Sequence, residues 1–306
     1  MESPKERLKT ILCKFENSNI PVTDIHKLTV LKKIRKTELP LRLIVFIAAA
    51  FLVCAMFRHI HLLDKSECYI EMPHETSKLF RAPEYCEICQ DFSKVDKVAN
   101  VSPALFLQKY FKQTHPVVVT DGAANWPAKK LFTFDFFKAL FNSTEVNRSK
   151  HKTCQFFPYK TEFASLQEVF NMNADRAMLK PGEMPWYIGW NNCNDEIGKY
   201  LKQFYSKPYF LSNMTENIDL SWIFMGGPGH GAHMHVDDVH YPSWQAQLSG
   251  RKLWKLAPPP ECYYECKEVE VVVEPGEIIA LDTNRWFHQT VVLPGEISIT
   301  IGSEFD

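Results

Sequence analysis

The hydrophobic pattern of this chain changes period along its length. In ALFLQKYFKQ (104–113), TFDFFKALF (133–141) and DEIGKYLKQFY (195–205) the apolar residues recur at helical spacing. In PVVVTD (116–121), KLWKLAPP (252–259), EVEVVVEP (268–275), EIIALD (277–282) and EISITIGSEF (296–305) they alternate or run unbroken through β-branched residues bounded by Pro and Gly, which predicts strands. Helices cluster early and strands late. Closely spaced short strands behind a helical preface predict an α+β domain built on an antiparallel sandwich or barrel. No internal repeat or low-complexity tract interrupts it.

The most apolar run, LIVFIAAAFLVCAMF from Leu43 to Phe57, carries no charge. As a helix it reaches about 22 Å, and continuing to Leu63 brings it to about 31 Å, roughly a hydrocarbon core. Arg42 and Arg58 can snorkel from its ends. Residues 1–42 hold ten Lys or Arg against five acids. The positive-inside rule therefore predicts a type II signal-anchor: a cytosolic basic segment (1–42), a transmembrane helix (43–63), and a lumenal (ER or Golgi) or extracellular remainder. A buried core helix is the plainer alternative.

Other features fit a lumenal setting. Four N-x-S/T sequons, at Asn100, Asn142, Asn147 and Asn213, all follow the apolar run, which suggests a glycoprotein, although Pro103 weakens the first. Seven of the nine cysteines also follow it, and disulfides are expected among them. The CxxC at Cys86 and Cys89 and the CxxxC at Cys262 and Cys266 are alternatively four zinc ligands at loose spacing. From Asp64 the composition is mixed and polar, as in a stem.

Composition acts by exclusion. With 306 residues, 45% hydrophobic and 13% aromatic, there is material for a large core. The net charge of −1 supplies no basic field, which argues against nucleic acid as a partner.

The stretch from Trp222 to Pro260 carries the chemistry. His230, His233, His235 and His240 fall within eleven residues. In extended chain, positions two apart share a face, so His235 and Asp237 would project together. A third ligand must come from another strand, and His288 in LDTNRWFHQT lies just beyond the apolar segment 277–281. Two histidines and one carboxylate leave positions open on Fe(II) for dioxygen and a bidentate keto acid. The keto acid's distal carboxylate needs a cation inside an apolar barrel, and Lys252 after Gly250 stands ready for it.

These residues resemble the JmjC domain, most closely the Jumonji-type lysyl hydroxylases once described as phosphatidylserine receptors. The likeness runs unbroken from Trp222 through Pro258. It includes W-x3-G, H-x-D, Ser-Trp-Gln at 243–245 and G-x-K-x-W, followed by W-x-H at 286–288 and by Thr300. It implies a double-stranded β-helix, the cupin-type jelly-roll barrel, with a helical N-terminal face, spanning 96–306 behind a stem at 64–95. It also implies that His235, Asp237 and His288 hold Fe(II), and that Lys252 receives 2-oxoglutarate, assisted by the Thr300 hydroxyl. Trp222 would be an aromatic wall, and Gln245 takes the place of an Asn lining the pocket. Ala232 departs from the pattern, because relatives often place there a Thr that touches the cosubstrate. Weaker binding of 2-oxoglutarate is expected from it.

The activity so implied is O2-dependent hydroxylation of a protein side chain, or demethylation through hydroxylation, with a substrate in the secretory pathway. Two rivals stand beside it. An ordinary cupin metal site would recruit His233, but lacks the required Glu and leaves Lys252 without a role. A catalytically inactive lumenal binding module would keep the barrel and lose turnover.

Overall fold

A computed structural model describes residues 4–17, 47–55, 83–142, 155–159, 161–192, 194–212 and 221–306. The chain divides into two compact units, Met1–Leu79 and Phe80–Asp306. In the first, Pro4–Glu16 is helical, as are residues 47–55.

The predicted membrane anchor is overturned. No helix among the described residues is long and apolar enough to cross a membrane. Residues 47–55 span about 14 Å as a helix, half of a hydrocarbon core. Residues 43–46 and 56–63, including Arg58, lie outside the described residues. The type II placement falls with the anchor, and so does the lumenal setting from which glycosylation and a secretory-pathway substrate were inferred. Asn147 and Asn213 also lie outside the described residues.

The second unit is built on two sheets. The larger has eight strands in the order β1-β2-β9-β6-β11-β5-β4-β3, and the smaller has the order β10-β7-β8. Their ranges are β1 Asp96–Val98, β2 Val117–Val119, β3 Phe156–Phe157, β4 Tyr187–Asn192, β5 Ser221–Gly226 and β6 Ser243–Ser249, then β7 Lys252–Ala257, β8 Val269–Val273, β9 Ile278–Leu281, β10 Phe287–Val292 and β11 Ser298–Glu304. Every pairing is antiparallel except β1 with β2. The strands and helices expected from the hydrophobic pattern are present, among them the helices Phe134–Asn142 and Asp195–Leu201. The early segment 104–113 divides into an α-turn, Pro103–Phe106, and a π-helix, Leu107–Phe111.

Unbroken apolar strands arise here because both faces of the large sheet are covered. Val117 and Val119 of β2, with Ile278 and Ala280 of β9, join the helices in one core that includes Phe106, Phe137, Phe170 and Leu201. Val118, Ile279 and Leu281, which point the other way, join a second core with Trp254, Leu256 and Trp286. Period-two alternation thus sorts each strand between two cores.

The second core is closed by residues 83–95, where the sequence places a stem. Ile88, Cys89, Phe92 and Val95 pack into it. Disulfides Cys86–Cys262 and Cys89–Cys266 tie this segment down, so the four cysteines pair rather than bind zinc. Arg285 adds an ion pair to Glu84 at 2.6 Å.

Candidate active site

Strand alternation turns the polar residues of the central strands into the space between the sheets. On β10, His288 and Thr290 share a face, and they pair with Leu256 and Trp254 of β7. On β11, Ile299 and Ile301 enter the helical core, while Thr300 between them faces the interior beside Lys252.

His235 is not in a regular strand. It forms an isolated antiparallel bridge with His288, with main-chain bonds of 3.0 and 2.8 Å. The bridge continues as Thr290 N–H to Ala232 O (3.0 Å) and Val292 N–H to His230 O (2.8 Å). Gly231 permits this approach, because a Cβ there would lie 2.0 Å from the Thr290 carbonyl oxygen. Beyond His235, the Asp237 N–H bonds Thr283 O at 2.8 Å and the Val239 N–H bonds Asn284 Oδ1 at 2.8 Å. The loop is therefore pinned on both sides of Asp237.

The structure brings His235, Asp237 and His288 together, with one ligand atom from each lying within 4.8 Å of the others. Asp237 Oδ1 is 3.3 Å from His235 Nε2, and Oδ2 is 3.8 Å from His288 Nε2. Each Nδ1 faces a main-chain carbonyl, His233 O at 2.7 Å and Trp286 O at 3.1 Å. Those bonds favour a proton on each Nδ1, so that a metal would meet Nε2 of both rings, the tautomer it requires.

Charge follows from burial and from this grouping. Burial pushes His288 down to about 4, so it is neutral near pH 7 and available as a donor. For Asp237, burial opposes ionisation, but hydrogen bonding to His235 and the nearby His288 outweigh it and hold the carboxyl below its usual range. Burial likewise lowers His235, but Asp237 outweighs it and the net direction is upward.

A second cluster lies deeper. Lys252 is fully buried, and its Nζ donates to Thr300 Oγ1 at 2.7 Å and to the Tyr187 hydroxyl at 3.0 Å. Thr300 in turn donates to Gln247 Oε1 at 3.0 Å. Burial alone pushes Lys252 down to about 7. Hydroxyls satisfy the ammonium's geometry and leave its charge uncompensated, the condition a carboxylate would relieve.

Two cavities flank the triad. An inner one of about 40 Å³ is lined by Tyr187, Ala232, His288 and Thr290. An outer one of about 290 Å³ is lined by Phe157, Tyr159, Trp222, Phe224 and Asp238. Tyr159, Phe224, His235, Asp237 and Gln245 line both. All seven residues expected from the sequence thus fall around one site: the triad at the centre, Gln245 and Trp222 in the outer cleft, and Lys252 with Thr300 behind Tyr187, which lines the inner cavity. His233 lies at the rim, its ring 5.4 Å from that of His235, outside the ligand group.

Tyr187, Thr290, Gln247 and Trp254 were missed. Trp254 stacks on His288 with centroids 5.8 Å apart. Thr290 carried a usable signal, being two residues from His288 in an alternating strand. Tyr187 lies far upstream and carried none.

A family model described as a cupin-like domain matches residues 103–266. The arginine-specific demethylase JMJ20 of Arabidopsis thaliana is 24% identical over 248 residues, covering 63% of this chain and 53% of its own. The 2-oxoglutarate and iron-dependent oxygenase JMJD4 of Danio rerio is 29% identical over 236 residues, covering 64% of this chain and 54% of its own. The chain therefore spans about half the length of these relatives. Among solved structures, the ribosomal oxygenase YcfD of Escherichia coli matches with a TM-score of 0.43 at 18% identity, covering 67% of this chain and 51% of that one. With more than half its residues matched, the chain belongs to the cupin-like domain family.

Proposed function

We propose that this protein is an Fe(II)- and 2-oxoglutarate-dependent oxygenase that hydroxylates a protein side chain. One juxtaposition carries the reading: a two-histidine, one-carboxylate group beside a small cavity, and a charge-uncompensated lysine bonded to Tyr187, which lines the same cavity. The relative named as a 2-oxoglutarate and iron-dependent oxygenase supports the same chemistry.

His235, Asp237 and His288 would hold the iron, both histidines through Nε2. With keto acid and O2 present, the metal supplies oxidation of an unactivated C–H bond coupled to release of succinate and CO2. The protein's part is orientation and exclusion. Lys252, Thr300 and Tyr187 receive the distal carboxylate in a water-poor pocket, where a charge-assisted bond is strongest. Gly189 lets the Phe224 ring lie directly on β4, since a Cβ there would stand 2.6 Å from it, and so narrows the passage between the cavities.

The outer cleft fits a cationic side chain, with aromatic faces from Phe157, Tyr159, Trp222 and Phe224 and the Asp238 carboxylate at its edge. An N-methyl group presented there would be lost after hydroxylation, and an unmethylated chain would keep the hydroxyl. The names of JMJ20 and its kin favour the first outcome.

The test is succinate release by the full chain with Fe(II), 2-oxoglutarate and ascorbate, beside His235→Ala and Lys252→Ala. Turnover lost in both variants is the expected result. Folded wild-type protein that neither turns over nor binds 2-oxoglutarate in the presence of metal would instead make it a binding module.

A further inference from the structure

The segment entering the triad carries an irregularity. Going from Ala232 to His235 takes three residues, while the return on β10 from Thr290 to His288 takes two, so one extra residue is inserted just before the first histidine. A bulge of this kind re-aims the side chains that follow it, at the cost of a main-chain group left out of the ladder. Here that group is the Ala232 N–H. It is met not by a carbonyl but by the Thr290 side chain, Oγ1 at 3.0 Å, in a buried setting.

Thr290 also lines, with Tyr187 and His235, the small cavity beside the triad. Valine would fill the same volume without the bond to Ala232.

We infer that Thr290 is a positioning residue for the metal end of the site: it holds the bulge that directs His235 toward Asp237 and His288. This rests on the function proposed above. Removing the hydroxyl costs one buried neutral bond, so Mn(II) affinity should fall about five- to tenfold.

The experiment is calorimetric titration of the full chain with Mn(II), and then of the Mn(II)-loaded chain with 2-oxoglutarate, for wild type, Thr290→Val and Thr290→Ser. Amide hydrogen exchange at Ala232 is read in parallel. Thr290→Val should weaken Mn(II) binding and deprotect the Ala232 amide, while Thr290→Ser should restore both. If valine does not fold, Thr290→Ala against Thr290→Ser carries the same comparison. Wild-type-like binding and protection in the hydroxyl-free variant would overturn the inference alone. Wild type that bound neither ligand would overturn the oxygenase reading and the inference with it.

Discussion

His235 and His288 face each other across a two-bond antiparallel bridge, with their ring centroids 4.3 Å apart. The main chain itself thus sets the separation of two ligands that stand far apart in sequence. Gly231 is what allows the chain to come so close. Gly231→Ala should therefore force the segment away from Thr290, costing about 2–4 kcal/mol, and should abolish Mn(II) binding. Urea unfolding and metal titration of the variant check both parts.

His288 also makes stability depend on pH. Its value falls from 6.5 to about 4 on burial, so the folded state binds fewer protons than the unfolded one. The contribution is complete above pH 6.5 and is lost as pH falls to about 4, amounting to about 3 kcal/mol. Denaturant melts of metal-free protein between pH 7.5 and 4 should show that loss, and His288→Asn should flatten it.

Lys252 is expected to be a stability cost retained for binding. Its buried ammonium, pushed down to about 7, penalises the folded state. Lys252→Met should raise stability by about 1–3 kcal/mol while 2-oxoglutarate binding disappears. In the wild-type, metal-loaded chain, affinity for 2-oxoglutarate should weaken as pH rises from 7 to 8.5, because the protonated form that pairs with a carboxylate becomes scarce.

The two disulfides should not be additive. Each spans 176 or 177 residues, but once one is closed the other closes only a short loop. Removing either pair by Cys→Ser should cost about 2–3 kcal/mol, and removing both about 7–8, more than the sum. A single-pair variant as unstable as the double would contradict this. Because Cys89 shares a core with Trp254 and Trp286, the double variant should also bind Mn(II) less tightly.

The outer cleft can be separated from the chemistry. Trp222→Ala should raise KM for a protein substrate while substrate-independent succinate release persists, since Trp222 lines only the outer cavity. Equal loss of both would place Trp222 within the cosubstrate pocket instead.

Much of this was legible in the residues themselves. Side-chain alternation is a local property, so strands such as β7, β9 and β11 were readable, with Lys252 and Thr300 within them, whereas His235 and Asp237 lie outside any regular strand. Hydropathy misled at residues 43–63, where an apolar run was read as a span although the described helix covers only 47–55. Length and charge bias describe what a segment can do, and its local conformation decides whether it does. Cysteine spacing allowed several pairings or a metal, and only the docking of residues 83–95 on the second core selected Cys86 with Cys262 and Cys89 with Cys266.

What the sequence determined by itself was therefore the set of donors and the rhythm that turns them inward. Tertiary structure alone decided the bulge before His235, the place of Thr290 within it, and the arrival of Tyr187 from β4 beside Lys252. Those depend on strand order and register between segments up to 65 residues apart, which no local pattern encodes.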